Sequence, residues 1–163
     1  MIWDAIWYGG RSDLVWFDTT ESQGRRKGVT AAIYCEQITK KALKKFWRRV
    51  DTRWRAYGGA RILEDNVKVH TAQENQSVGQ KFKFRYLNHP PSSPDLNPIE
   101  NCWAYLKREL SRLPRKPTTP EELFETAQKM WRNIPQEVID RTIDSMIYRL
   151  ERVRRENGFV TKY

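Results

Sequence analysis

From Val29 to Val50 apolar side chains recur at helical spacing. Ile33, Ile38, Ala42, Leu43, Phe46, Trp47 and Val50 share one side, while Lys40, Lys41, Lys44, Lys45, Arg48 and Arg49 take the other positions. The pattern predicts a basic amphipathic helix whose aromatic residues belong to the core. Upstream, Met1 to Tyr8 is rich in aromatic and branched residues, Gly9 and Gly10 supply a tight turn, and the apolar run resumes from Asp13 to Phe17. That is the signature of a hairpin. Residues 18–28, with Gly24 and Gly28 around Arg25, Arg26 and Lys27, read as a mobile connection whose charges are solvated or contact phosphate. Beyond the helix, the stretch from Trp54 to Gly59 breaks the pattern. Residues 60–64 then form a short strand that ends at Asp65, 71–79 a short helix, and 82–87 a second short strand.

Proline shapes the next segment. Pro90, Pro91, Pro94 and Pro98 fix φ and remove backbone donors, so residues 89–96 form a stiff loop. Asn97 suits a helix N-cap, Pro98 the first helical position and Glu100 the third, so Asn97 to Glu100 reads as a capping box opening a helix over 97–113. Thr119, Pro120, Glu121 and Glu122 open another helix in the same way, continuing to about Arg132. The last helix starts near Ile134 to Glu137. Its apolar stripe is Val138, Ile139, Ile143, Met146, Ile147, Leu150 and Val153, its basic remainder Arg141, Arg149, Arg152, Arg154 and Arg155, and Asn157 with Gly158 ends it. Strands alternating with helices imply a mixed α/β layer fold.

Composition narrows the class. With 163 residues and 39% hydrophobic content, the chain suits one domain with a real core over 1–163, its sheet and central elements in 1–113 and helices in 114–163. Lys and Arg outnumber Asp and Glu by 30 to 20, and a net charge of +10 favours a polyanionic partner. Cys35 and Cys102 lack metal-like spacing and are expected as buried free thiols in a reducing compartment. No apolar run approaches the length of a membrane span, and the first residues lack a secretory pattern. The expected protein is soluble and intracellular.

Ser93 to Asn101, reading Ser-Pro-Asp-Leu-Asn-Pro-Ile-Glu-Asn, with Trp103, Leu106 and Lys107 after it, resembles the signature of the DDE-type catalytic domain of mariner-type transposases and their fungal relatives. The resemblance makes Glu100 the last of three catalytic carboxylates. It places the second, an aspartate ending a strand, thirty-four residues earlier; counting back over 66–99 lands on Asp65. Asp65, His70 and Ala72 stand as in the family's stretch around that aspartate, and Ser145, Met146, Arg149, Gly158 and the final Thr161 to Tyr163 resemble the C-terminal end of the fungal members.

The resemblance implies a ribonuclease H-like mixed sheet flanked by helices, with a helical C-terminal extension, in a nuclear DNA-binding protein. It implies phosphodiester cleavage and strand transfer assisted by Mg²⁺ or Mn²⁺, with Asp65 and Glu100 as catalytic metal ligands and Asn66 and His70 supporting them. Arg25, Arg26, Lys27, Lys44, Lys45, Lys107 and Arg108 are the candidate nucleic-acid contacts.

The sequence departs from the family at its start. The first strand, which carries the first aspartate, and the N-terminal helix-turn-helix region are missing ahead of the hairpin. Where the family has a glycine after the tryptophan, Asp4 follows Trp3. Asp4 is a candidate replacement ligand, although a residue near a chain start is expected to be solvated. Loss of a central strand leaves open edges, to be satisfied by closure of the gap, strand exchange or a homodimer. Three functions fit: a truncated or domesticated transposase catalytic domain with an incomplete triad, a repurposed metal-dependent nuclease using Asp4, or a non-enzymatic interaction module.

Overall fold

The computed structural model describes residues 1–20, 22 and 28–156. They form two compact units, Met1–Trp3 with Val15–Ser93, and Asp4–Leu14 with the chain from Pro94 onward. The expected hairpin is present as two antiparallel ladders, one in each unit.

In the first unit β1 (Ile2–Trp3) pairs with β4 (Val15–Trp16). The long helix follows without a break through α1 (Ala31–Tyr34), a π-helical segment (Cys35–Leu43) and α2 (Lys44–Arg53). Thr30 caps it, its Oγ1 accepting the Ile33 amide at 3.2 Å. The predicted stripe is the core: Ile33, Ile38, Leu43, Trp47 and Val50 are buried, and Phe17, Tyr34 and Phe84 pack with them. The π segment was not legible from the periodicity. Its wider i→i+5 turn lets Cys35, Thr39 and Leu43, spaced by four, all face inward. Thr39 Oγ1 donates to Asn75 Oδ1 at 3.0 Å, which satisfies both buried polar groups.

The two strands expected at 60–64 and 82–87 are shorter than predicted. Their pairing contracts to one parallel bridge, Ile62 with Tyr86, in which the Ile62 amide donates to Arg85 O at 2.7 Å and the Leu87 amide to Ile62 O at 2.8 Å. A lone short pair without lateral neighbours gains too little to extend further. Between them run α3 (Lys68–Thr71) and α4 (Gln73–Lys81), so helix begins three residues before the predicted start.

In the second unit β2 (Ile6–Trp7) pairs with β3 (Gly10–Arg11) across a turn where Gly9 has φ 76°. Only glycine takes that conformation without strain. Gly10 is required for space, because the Trp7 indole lies 2.2 Å from where its Cβ would be. Three helices follow: α5 (Ile99–Ser111), α6 (Pro120–Asn133) and α7 (Gln136–Arg155). The Thr119 capping box forms as predicted, with Thr119 Oγ1 accepting the Glu122 amide at 3.1 Å and the Glu122 carboxylate accepting the Thr118 amide at 2.9 Å. Trp131, fully buried, stacks on Trp103 with centroids 5.9 Å apart and donates its Nε1–H to Ser12 O at 2.8 Å. Arg11 caps the far end of α6 by donating to Trp131 O at 2.7 Å and Ile134 O at 2.5 Å.

Helix α7 corrects the sequence reading. Ile139 is buried as expected, but Ile147 and Leu150 are exposed, and Arg149, expected on the solvated face, is 1% exposed. Hydrogen bonds from its guanidinium decide this: Nη1 donates to Asp95 O at 2.7 Å and Nε to Ser145 Oγ at 3.0 Å. The expected helix end at Asn157 and Gly158, and the similarity at 158–163, lie outside the described residues. No helix among the described residues is long and apolar enough to cross a membrane. Cys35 and Cys102 are buried and free, as expected.

Candidate active site

Asp65 lies in the first unit, three residues beyond the Ile62 bridge. Extended backbone sends successive side chains to opposite sides, and here Glu64 turns inward while Asp65 faces out. The Tyr34 hydroxyl donates to Glu64 Oε1 at 2.6 Å and accepts from Trp3 Nε1 at 3.1 Å. Burial pushes the Glu64 carboxyl above its ordinary value, and burial together with Glu64 raises the Tyr34 phenol. This inner chain is therefore neutral or nearly so, and it supports the ring that orients Asp65. His70 packs against Tyr34 with centroids 4.5 Å apart and places Nδ1 2.6 Å from Asp65 Oδ1. The Asp65 side chain remains 54% exposed. Asn66 donates Nδ2–H to His89 O at 2.5 Å, fixing the start of the proline loop. A cavity of about 240 Å³ beside Asp65 is lined by Asn66, His70, Thr71, Phe84 and Tyr86, among others.

Glu100 lies in the second unit, at the second position of α5 and exposed. The predicted capping box around it does not form. Pro98 caps α5 without a side-chain bond, because the 3₁₀ turn Pro94–Leu96 already sets up backbone turns: the Asn97 amide donates to Pro94 O at 3.0 Å and the Glu100 amide to Asn97 O at 3.2 Å. Its carboxylate thus stands at the positive end of α5 without the Asn97 box to occupy it. Arg149 holds that same turn through Asp95 O. Periodicity alone assigned Arg149 to solvent; its place in the C-terminal resemblance was the one signal for a further role.

Asp4 contradicts its expectation outright. Instead of being solvated it is 6% exposed, and neither carboxylate oxygen has a hydrogen-bond partner among the described residues. Burial pushes its carboxyl well above the usual range, and the charge of Glu100 raises it further. Burial likewise raises the Cys102 thiol, and Asp4 adds to that effect.

Of the basic candidates, Lys44 and Lys45 are exposed on α2, with Lys44 Nζ 4.7 Å from the Phe82 ring centroid. Lys107 and Arg108 are exposed on α5, the Arg108 guanidinium 5.1 Å from the Tyr105 ring centroid. Arg25, Arg26 and Lys27 lie outside the described residues. Among the described residues no three His, Cys, Asp or Glu side chains converge as a ready metal cluster. Yet the donors fit a hard cation: Asp65 and Glu100 offer accessible carboxylates, and Asp4 offers two buried oxygens without partners.

Residues 14–123, more than half of the chain, match the family described as DDE superfamily endonuclease. The chain belongs to that family, and within it to the mariner type of transposase catalytic domain. The matched stretch includes Asp65 and Glu100 and begins after Asp4. It is 37% identical over 100 residues to the Tc1 transposase of Caenorhabditis elegans, covering 61% of this chain and 36% of the relative. To the Tcb2 transposase of Caenorhabditis briggsae it is 31% identical over 163 residues, covering 98% of this chain and 57% of the relative. It spans about half the length of most of the transposases it matches. A solved Mos1 transposase catalytic domain, determined with raltegravir and Mn, is similar at a TM-score of 0.71 and 19% identity, covering 99% of this chain and 83% of that one. That likeness shows the fold, which is the ribonuclease H-like class expected from the sequence.

Proposed function

We propose that this chain acts on DNA as a divalent-metal-dependent phosphodiester-cleaving and strand-transferring domain, with Asp65 and Glu100 as its metal-binding carboxylates. One observation carries the reading: the two carboxylates singled out by motif and spacing are both left accessible, Asp65 oriented by His70 and Glu100 at the start of α5 without a cap bond. A bound Mg²⁺ or Mn²⁺ would supply Lewis acidity at the scissile phosphate and at the attacking oxygen. The protein's share is orientation. His70 fixes the rotamer of Asp65, Asn66 fixes the adjoining loop, and Arg149 holds the turn that delivers Glu100. Lys44, Lys45, Lys107 and Arg108 supply phosphate contacts, to which Arg25, Arg26 and Lys27 add charge. The same reading includes self-association through open strand edges, to be checked by light scattering of the purified chain.

The test is cleavage of labelled duplex DNA with Mg²⁺ or Mn²⁺. Asp65→Asn and Glu100→Gln are each expected to abolish cleavage while leaving DNA affinity in place. Cleavage that persists in both variants would overturn the assignment. Binding without any cleavage by the unmodified chain would reduce the function to that of a DNA-binding scaffold.

A further inference from the structure

Buried polar groups normally find partners, and those that do not call for an explanation. Thr39 and Asn75 satisfy each other, and Arg149 donates to Asp95 O and Ser145 Oγ. Asp4 is different. It lies just beyond β1, is 6% exposed, and has neither oxygen hydrogen-bonded among the described residues. Its electrostatic neighbour within the second unit is Glu100, whose charge adds to the penalty instead of relieving it. Two carboxylates whose charges oppose each other, one of them stripped of water, suit a cation between them.

We propose that Asp4 and Glu100 together hold a divalent cation, Mg²⁺ or Mn²⁺, in the second unit. This rests on the metal-dependent reading above and adds to it a ligand that lies outside the stretch matching the family. The chemistry of the ion agrees. Mg²⁺ takes hard oxygen ligands, keeps several of its waters, and is commonly held by only one or two carboxylates together with substrate phosphate. A site of two side chains is therefore sufficient, which accounts for the lack of a three-residue cluster among the described residues. The ion would replace the hydration that Asp4 lost on burial and would cancel its repulsion with Glu100.

The test is Mn²⁺ binding to the full chain by titration calorimetry and by electron paramagnetic resonance, without DNA. Asp4→Asn and Glu100→Gln are each expected to weaken binding by about tenfold or more. Each is also expected to remove the rise in Tm that Mn²⁺ gives the unmodified chain. Asp4→Gly serves as a second variant, with circular dichroism confirming that both fold. Wild-type Mn²⁺ affinity in the Asp4 variants, with affinity lost in Glu100→Gln, overturns the role of Asp4 and leaves the metal-dependent reading intact. Failure of the unmodified chain to bind Mn²⁺ overturns both.

Discussion

The two compact units handle the same functional group in opposite ways. In the first, Asp65 is half exposed and its Oδ1 already meets His70, which in turn rests on Tyr34. In the second, Asp4 is buried with no hydrogen bond to either oxygen and with Glu100 as its electrostatic neighbour. Their interiors differ as well. The first unit's core is a run of apolar side chains from Phe17 to Phe84, whereas the second buries an arginine and hangs Trp131 from a backbone carbonyl. A carboxylate with a partner and access to water is stable as it stands. One with neither is held in place by the surrounding fold at a cost, and the cost marks where to look for a ligand.

The comparison can be broken most directly at the cores. Trp131→Ala removes a stacked, hydrogen-bonded side chain with no exposure and is expected to cost about 4 kcal/mol, lowering Tm by roughly 10 °C. Trp47→Ala, at the less deeply buried edge of the first core, is expected to cost about 3 kcal/mol, so a larger loss than for Trp131 would reverse the contrast. Arg149→Met is expected to cost about 3 kcal/mol and to speed amide exchange at 94–100 while leaving 60–66 unchanged; uniform exchange would mean that Arg149 does not act on that turn.

The carboxylates themselves give smaller effects of unlike sign. Without metal, Asp4→Asn is expected to stabilise the protein at pH 7 by about 2 kcal/mol, because the unpartnered buried charge is gone. The pH dependence follows from the raised Asp4 carboxyl. Above the ordinary value of 3.8 the unfolded chain releases this proton while the native chain keeps it. Wild-type stability therefore falls as pH rises from 3.8 through the raised native value, and the gain from asparagine vanishes below that window. Equilibrium denaturation across pH measures it, and a gain that persists in strong acid would show another cause. Thr119→Ala, which loses only a surface cap, is expected to cost about 1 kcal/mol.

Local signals in the chain were the ones read correctly. The 29–50 stripe depends on neighbours three and four residues away, and the turn at Gly9 and the Thr119 box span only a few positions. The long Ser93 to Asn101 motif and its spacing to Asp65 carried the family. Where the reading failed, it relied on local rules for groups whose state is set from afar. The box at Asn97 gave way to the turn at Pro94–Leu96, and the strands at 60–64 and 82–87 contracted to one bridge because pairing depends on lateral partners.

By itself the sequence determined the helical periods, the hairpin turn, the second capping box and the identity of the motif carboxylates, since these follow from backbone sterics and residue order over short distances. The tertiary structure alone decided that Asp4 and Arg149 are buried, that Glu64 turns inward while Asp65 faces out, and that His70 orients Asp65. Charged residues are ranked as exposed by every local measure. Only contacts between residues far apart in the chain can remove them from water, and those contacts exist once the chain has folded.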